Sequence, residues 1–409
     1  MVIKIVRWMV LPAAFFLFGL LYGAFLVAHP LAMSRFLFGA TITLAAALLV
    51  VATGFRGWEL AIALLVALVF AIGGFATTTQ RVLDREDARP LPALTRSKDD
   101  PGLGHTAVIY FTHGEPETYD PIGWINQFNE FDEQGIDFVP FLARPYFMHS
   151  LRKKYLQVGK SNHRQIHTEM LRSLEREYRA EGDQTTRLYL SFLDDNPRPD
   201  AAVIEALNDG ASRIIVSEVF LTISNHTAEG KELIEEVGAE ELGVPIEYTG
   251  PMWDSETLKS MFVQRANAHL DGTDKAKVGI LLVGHGQPDE WDVEWSTETE
   301  QETGFRMDIL QMLQDDGYRP ENLSLAWMEF KEPKPAAKIE EFLSQGVERV
   351  LYFSTAISAD AIHSQLDVPE LVHQANVPQE FPMINLGAWN YDRIVITAIK
   401  EKIDAVMRR

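Results

Sequence analysis

The hydrophobic pattern of the chain changes after about residue 80. Residues 8–28, 36–54 and 60–77 are almost entirely apolar, whereas the remainder alternates short apolar runs with polar and charged segments. Each apolar stretch is long enough to cross the hydrocarbon core of a bilayer as a helix. A cleaved signal peptide has only one such stretch, so residues 1–80 are predicted to form a membrane anchor of three transmembrane helices. A helical hairpin buried in a soluble protein is the less favoured alternative.

Basic residues near the ends of these stretches predict the orientation of the anchor. Short turns containing His29 and Arg56 separate the stretches. One side offers Lys4, Arg7 and Arg56. The other side, which leads into the rest of the chain, offers the larger set Arg35, Arg81, Arg85, Arg89, Arg96 and Lys98. Because cytoplasmic segments carry the excess of basic residues, the soluble body is predicted to lie in the cytoplasm.

The pattern after the anchor predicts an α/β fold. Residues 81–104 are charged and rich in Pro and Gly, which is typical of a linker. Apolar runs rich in β-branched residues follow at 107–112, 188–192, 213–221, 245–251, 278–284, 323–330, 349–357 and 383–388. Helical patterns lie between or after them, for example at 165–179, 255–270, 297–314 and 392–407. Strands that alternate with helices predict parallel sheets covered by helices on both faces.

Two pairs of similar segments indicate that the body is a duplication. "YFTHGEP" at 110–116 parallels "LVGHGQP" at 282–288. "NPRPDAAVIEALNDGASRIIV" at 196–216 parallels "EPKPAAKIEEFLSQGVERVLY" at 332–352. The body is therefore predicted to contain two similar Rossmann-like domains, a first half at 105–271 and a second half at 272–409. Two copies of a long repeat argue against a solenoid.

Composition excludes several classes of function. The formal net charge is −21, which leaves no electrostatic footprint for nucleic acid. The chain has no cysteine, so disulfides, thiolate zinc sites and cysteine-bound iron–sulfur clusters are excluded. Metal chemistry must therefore use His, Asp and Glu.

Histidines follow several predicted strands, where ligands bind in open α/β sheets. His113 and His285 lie in the two His-Gly segments, and His226 and His363 lie in later loops. With Glu329, at the end of another predicted strand, His285 and His363 would make a site suited to Fe²⁺, Co²⁺, Ni²⁺ or Zn²⁺. A His-Gly pair can also be a mere turn device, but its recurrence favours a functional role.

These segments resemble the class II tetrapyrrole chelatases, which comprise ferrochelatases and the smaller cobalto- and sirohydrochlorin chelatases. The resemblance spans roughly residues 105–409. "LLVGHGQP" is similar to the strand and loop that carry the family's catalytic histidine, here His285, and "AWMEFKEPKPAAKIEEFLSQGVERVLYFSTAIS" is similar to the segment leading to its second active-site strand. "LRKKYLQVGKSNHRQIHTEMLRSLE" and "GPMWDSETLKSMFVQ" resemble ferrochelatase segments. His363 stands where ferrochelatases have a glutamate, and in this respect the chain is similar to the smaller chelatases, which have a histidine in the corresponding loop.

The resemblance implies metal insertion into a tetrapyrrole, most simply Fe²⁺ into a porphyrin, with both molecules as substrates and no permanently bound cofactor. His285 would accept a pyrrole proton or bind the metal, and His363 and Glu329 would hold the metal or relay protons. Such a macrocycle needs apolar and aromatic walls. The residues expected to contact it are Phe111, His113, Tyr119, Met148 and Trp291.

Three alternatives remain at this point. A cobalt or nickel chelatase for another tetrapyrrole is favoured by His363 and disfavoured by the ferrochelatase-like first half. A non-catalytic, membrane-tethered haem or metal carrier would use the same histidines. A hydrolase lacks support because neither His-Gly segment supplies a Ser or Cys nucleophile. The acidic residues after His285 are expected to form a solvated helix face, with a path for cations as the second interpretation.

Overall fold

The structure, a computed structural model, describes residues 2–27, 31–52, 54–86, 91–133 and 139–409. His29, in the first predicted turn of the anchor, and Arg89, one of the basic residues used to orient it, lie outside the described residues. The chain forms two compact units. A helical unit contains residues 1–90 and 118–159, and an α/β unit contains residues 91–117 and 160–409. The predicted domain boundaries at 80, 104 and 271 stay predictions. Residues 118–159, which were assigned to the first half, group with the N-terminal helices.

The helical unit contains five α-helices in the described residues. They are α1 (Val2–Val27), α2 (Leu31–Ala52), α3 (Trp58–Glu86), α4 (Pro121–Glu133) and α5 (Arg144–Val158). Within α1, α2 and α3, the segments Ile5–Val27, Ala32–Leu49 and Trp58–Val82 are long and apolar enough to cross a membrane. Large apolar side chains such as Met9, Phe36 and Leu49 are about 70% exposed on these helices. A lipid environment would cover such side chains better than water does.

Glycines allow α1 and α3 to approach closely. A Cβ added to Gly19 of α1 would lie 2.0 Å from the carbonyl oxygen of Ala71, and one added to Gly74 of α3 would lie 2.2 Å from that of Phe16. The Thr78 hydroxyl donates to the Leu20 carbonyl at 3.2 Å across the same interface. Small residues at a helix–helix contact are typical of membrane-spanning helices, because backbone proximity maximises van der Waals contact.

The α/β unit contains two parallel four-stranded sheets in the described residues, and this confirms the predicted fold class. The first sheet has the order β2-β1-β3-β4 and the second the order β6-β5-β7-β8. The strands are β1 (His105–Thr112), β2 (Thr186–Phe192), β3 (Ala211–Glu218), β4 (Ile246–Tyr248), β5 (Val278–Gly284), β6 (Leu323–Trp327), β7 (Arg349–Ser354) and β8 (Met383–Asn385). All eight predicted strands are present.

Helices cover these sheets, as the alternating pattern predicted. They are α6 (His163–Ala180), α7 (Pro199–Asn208), α8 (Asn225–Glu236), α9 (Glu256–Ala268), α10 (Asp289–Glu294), α11 (Ser296–Asp315), α12 (Pro335–Ser344), α13 (Val368–Val372) and α14 (Arg393–Met407). A single π-helical turn, His363–Asp367, precedes α13. Both sheets share one apolar core, in which Val108 and Ile215 of the first sheet join Leu282 and Phe353 of the second. The two halves therefore fold against each other within this unit.

Several strands end earlier than the apolar runs suggest. β3 stops at Glu218, although the apolar run continues to Leu221, and β6 stops at Trp327, before Glu329. Beyond these points the chain leaves the sheet, although isolated backbone hydrogen bonds still join it to neighbouring strands. One example is the Val219 N–H, which donates to the Phe111 carbonyl at 2.7 Å. The apolar pattern extends too far because buried loop residues such as Val219 and Leu221 have the same composition as strand residues.

Candidate functional site

Four histidines lie at the carboxyl ends of the two sheets. His113 and His285 directly follow β1 and β5, His226 lies in the first turn of α8, and His363 begins the π-helical turn after β7. The rings form two pairs, with centroids 4.7 Å apart for His113 and His226 and 5.5 Å apart for His285 and His363. All four side chains are partly exposed. We call these four residues the histidine cluster.

The two His-Gly loops have the same local structure. Nδ1 of His113 donates to the carbonyl oxygen of Gly114 at 2.9 Å, and Nδ1 of His285 donates to that of Gly286 at 2.6 Å. A carbonyl oxygen can only accept, so the proton resides on Nδ1 when each ring is neutral. Nε2 is then the atom with a lone pair, available to accept a proton or bind a metal.

Glycine is required after each histidine. Gly114 and Gly286 have φ values of +91° and +82°, a region that side chains disfavour. A Cβ on Gly286 would also lie 2.5 Å from the carbonyl oxygen of Glu329. Each glycine is therefore needed for the turn itself, as the alternative interpretation of His-Gly proposed. The histidine side chain before it faces the other histidines of the cluster.

A carboxylate from the neighbouring loop accompanies each pair. The Glu329 N–H donates to the His285 carbonyl at 3.0 Å, and the Asp194 N–H donates to the His113 carbonyl at 2.8 Å. The Asp194 carboxylate lies 3.2 Å from Nδ1 of His113. Glu329 exerts its effect by charge, which favours protonation of both His285 and His363.

The two imidazoles of the second half have pKa values shifted in opposite directions. Burial lowers the pKa of His285, and the nearby His363 lowers it further against the opposing charge of Glu329. Burial also acts to lower the pKa of His363, but the Asp367 carboxylate outweighs it through charge and a 2.7 Å hydrogen bond from Nδ1, so that pKa is raised. The pair therefore combines an imidazole that favours its neutral, basic form with one that favours its protonated form.

Glu115, which sequence reasoning missed, joins the cluster from the first half. Its carboxylate accepts the Ile362 N–H at 3.0 Å, directly before His363, and also accepts the Ser161 hydroxyl. Burial raises its pKa, while Ser161, His363 and His113 oppose that shift. The available signal was its place in "THGEP", where the second half has Gln287 in "GHGQP".

A buried ion pair supports the loop that bears His285. Glu302 of α11 accepts the His285 N–H at 2.8 Å and lies 3.9 Å from Arg306. Arg306 is fully buried, stacks on the Trp327 ring at 3.9 Å and donates to the Ala326 carbonyl at 2.8 Å. A Cβ on Gly284 would lie 2.1 Å from the Glu302 carboxylate. Only glycine at the end of β5 therefore leaves room for the Glu302–Arg306 ion pair.

Other polar residues hold the loop that bears His363. One carboxylate oxygen of Asp360 accepts the Ser364 hydroxyl at 2.9 Å and the Ala388 N–H at 3.2 Å. The Asp360 N–H in turn donates to the Asn390 side chain at 2.8 Å. These bonds satisfy backbone groups that no strand partner reaches, and they keep His363 beside His285.

The acidic segment after His285 is only partly a solvated face. Asp289 is exposed, but Asp292 accepts hydrogen bonds from Gln287 at 2.6 Å and Thr299 at 2.7 Å and pairs with Lys331. Burial raises the pKa of Glu298 to about 8, and nearby Glu302 and Asp292 reinforce the shift. Glu298 therefore favours its neutral form, which is not what a charged path for cations requires.

Two further histidines lie buried next to the cluster. The rings of His163 and His167 in α6 are 4.5 Å apart at their centroids. Nδ1 of His167 bonds the Tyr110 hydroxyl at 2.9 Å, and Nε2 bonds the Ser358 hydroxyl of the second half at 3.1 Å. Burial lowers the pKa of His167 to about 3. Burial lowers the pKa of His163 as well, so both rings favour the neutral form, and His167 joins the two halves, which sequence reasoning did not anticipate.

The residues predicted to contact substrate lie in different places. His113 belongs to the cluster, and Trp291 lies partly exposed in α10, close along the chain to His285. Phe111 is 1% exposed and packs against Phe220 in the apolar core, so it offers no surface to a ligand. Tyr119 and Met148 belong to the helical unit, and their contact with substrate stays a prediction.

The predicted metal ligands are brought together only in part. His285 and His363 are neighbours, with Glu329 close enough to act on both by charge. Within the described ranges, no group of three His, Asp or Glu side chains has the geometry to hold a metal ion. The assignment of His285, His363 and Glu329 as ligands therefore stays a prediction.

Comparison with known proteins gives low-level likeness to solved structures. No protein-family model matches the chain, and no curated protein matches it. SirB from Bacillus subtilis with Fe³⁺ has a TM-score of 0.48 and 13% identity over 73% of this chain and 94% of its own. The sirohydrochlorin chelatase SirB from Bacillus subtilis subspecies spizizenii, in complex with cobalt, has a TM-score of 0.46 and 12% identity over 74% and 96%.

A third similar structure is DR2241 from Deinococcus radiodurans, described as a multi-domain protein with structural similarity to chelatases. Its TM-score is 0.45 and its identity 14%, over 73% of this chain and 54% of its own. Likeness at this level is too low for a function to be transferred.

Proposed function

We propose that this chain is a membrane-anchored tetrapyrrole metal chelatase that inserts a divalent metal, most simply Fe²⁺, into a porphyrin. The observation that carries the proposal is the His285–His363 pair, in which an imidazole with a lowered pKa lies 5.5 Å from one with a raised pKa. The sequence resemblance to the class II chelatases supports the same reaction.

Metal insertion must remove two pyrrole protons and bring a partly dehydrated metal to the ring centre. His285 suits the role of proton acceptor, because its lone pair is on Nε2 and its pKa favours the neutral form. Nδ1 of His363 is bonded to Asp367, which leaves Nε2 as its free nitrogen. With Glu329, His363 would hold the incoming metal or pass the proton on. This set of nitrogen and oxygen donors suits Fe²⁺, Co²⁺ or Ni²⁺.

The three apolar helices fit the same proposal. Large apolar macrocycles partition into membranes, so an anchor would keep the α/β unit close to its substrate. Six basic residues, Arg35 before the second predicted span and five after the third, favour a cytoplasmic position for that unit. Protease protection of the α/β unit in sealed inside-out and right-side-out vesicles tests this orientation.

The test of the reaction uses the full chain in detergent or lipid nanodiscs. Protoporphyrin, coproporphyrin or sirohydrochlorin is mixed anaerobically with Fe²⁺, Co²⁺, Ni²⁺ or Zn²⁺, and the visible spectrum is followed for multiple turnovers. His285→Ala should abolish turnover, whereas His373→Ala, which changes an exposed histidine of the same half, should not.

The outcomes separate the remaining alternatives. Turnover with cobalt or nickel but not iron would identify a cobalt or nickel chelatase. The presence of a histidine at position 363, where ferrochelatases have a glutamate, favours that alternative. Tight binding of tetrapyrrole or metal without turnover in every combination would overturn the enzyme proposal and identify a carrier.

A further inference from the structure

We propose that the first half supplies a second proton acceptor, Nε2 of His113, so that each half removes one of the two pyrrole protons. This inference rests on the proposed chelatase function. Each pyrrole N–H would pass its proton to one imidazole Nε2, while the N–H electron pair remains on the pyrrole nitrogen and binds the metal. One metal dication enters, two protons leave, and no oxidant or reductant is needed.

The two loops that bear His113 and His285 are built alike. Besides the matched Nδ1–carbonyl bonds, the Leu193 N–H donates to the Thr112 carbonyl at 3.0 Å, and the Met328 N–H donates to the Gly284 carbonyl at 2.8 Å. The glycines after both histidines have positive φ. The same backbone therefore presents His113 and His285 in the same tautomer.

His113 and His285 also have equivalent partners. His113 has the Asp194 carboxylate at 3.2 Å and the His226 ring at 4.7 Å. His285 has Glu329 in the corresponding loop and the His363 ring at 5.5 Å. A loop that served only as a turn would have no need for a second carboxylate and a second imidazole.

The groups around His113 and those around His285 face a common region. Glu115 interacts by charge with both His113 and His363 and binds the backbone directly before His363. Burial lowers the pKa of His226, and the charges of nearby His113 and His285 lower it further. The groups that face His113 are Asp194, His226, His163 and Glu115. The His113 side chain is 45% exposed, so a substrate can reach it.

The test compares His113→Ala and His285→Ala in the full chain, with the tetrapyrrole and metal that the wild type uses. Both should lose about a hundredfold or more in kcat. Tetrapyrrole binding, measured by fluorescence quenching, should change little. Added imidazole should restore part of the rate of His113→Ala, which a merely structural role would not allow. His113→Asn, which retains a side-chain hydrogen-bond donor, should stay inactive, and His373→Ala should be unaffected.

Wild-type kcat in His113→Ala, with His285→Ala inactive, would overturn the inference and leave the chelatase proposal standing. Loss of activity in His113→Ala that imidazole does not restore, with full activity in His113→Asn, would also overturn it, because His113 would then be structural. A wild-type chain without turnover on any tetrapyrrole would overturn both proposals.

Discussion

The imidazole rings of His285 and His363 lie 5.5 Å apart with an interplanar angle of 78°. They come from loops after β5 and β7, which are adjacent in the second sheet. Asp367 raises the pKa of one ring, while burial and the other ring lower the pKa of its neighbour. The Asp367 carboxylate therefore makes the largest contribution that raises the pKa of His363 above that of its neighbour.

Replacing Asp367 by Asn should lower the pKa of His363, because the Asp367 hydrogen bond and charge are the main effects that oppose burial. NMR titration of the metal-free α/β unit within the full chain measures this shift. Glu380→Gln changes an exposed carboxylate of the same half and should leave the titration unchanged. An unchanged His363 titration in Asp367→Asn would contradict the assignment.

Gly286→Ala should reduce metal insertion by an order of magnitude or more, because φ is +82° and the added Cβ would meet the Glu329 carbonyl at 2.5 Å. Gly304→Ala is the matched control in the same half, since a Cβ there meets nothing within 4 Å and alanine favours a helix. Steady-state insertion rates and thermal unfolding of both variants decide the matter. Equal activity of the two variants would show that the loop tolerates movement.

Glu298→Gln should stabilise the α/β unit more at pH 8 than at pH 5. The folded pKa of Glu298 is raised to about 8, above its unfolded value, so wild-type stability falls as pH rises from that unfolded value through 8. A neutral Gln removes this dependence. Thermal unfolding midpoints at both pH values test the effect, with the exposed Glu300→Gln as control. The idea fails if both variants have the same pH dependence as the wild type.

Acid should destabilise the α/β unit through its buried histidines. The folded pKa of His167 is lowered to about 3, so its contribution to stability is present above the unfolded value, near 6.5, and is lost as pH falls from there toward 3. His167→Gln should flatten this part of the stability profile, measured by denaturant unfolding at successive pH values. His373→Gln, at an exposed histidine, should retain the wild-type slope, and a similar slope in both variants would contradict the prediction.

Gly19→Leu should separate α1 from α3, because its Cβ would lie 2.0 Å from the Ala71 carbonyl oxygen. We expect faster proteolysis between the helices and a lower unfolding temperature in detergent. Gly39→Leu in α2 is the control, since a Cβ there meets nothing within 4 Å. Equal proteolysis of the two variants would mean that this helix contact contributes little to the fold.

Much of the architecture could be predicted from local pattern alone. Apolar runs of two different lengths distinguished three long helices from eight strands, and the repeated "HGEP" and "HGQP" segments identified the duplication. The ends of β3 and β6 could not be predicted, because buried loops such as Val219–Leu221 are as apolar as strands. Phe111 was expected in or near a loop that faces the substrate, but it lies within β1 with its side chain buried against Phe220.

The sequence by itself determined which residues could carry chemistry. The absence of cysteine restricts metal ligands to His, Asp and Glu, and the positions of His113, His285 and His363 after strands place them at one end of each sheet. These conclusions hold because strand direction and residue type are local properties of the chain.

Only the tertiary structure decided which of these residues meet. Glu115 binds the backbone before His363, and His167 bonds Ser358, although these partners are far apart in the chain. Such contacts depend on how the two sheets share a core, and the pKa differences within the histidine cluster follow from that burial and charge. The pattern of residues specifies the elements, but the environment of each titratable group arises only when the elements are packed.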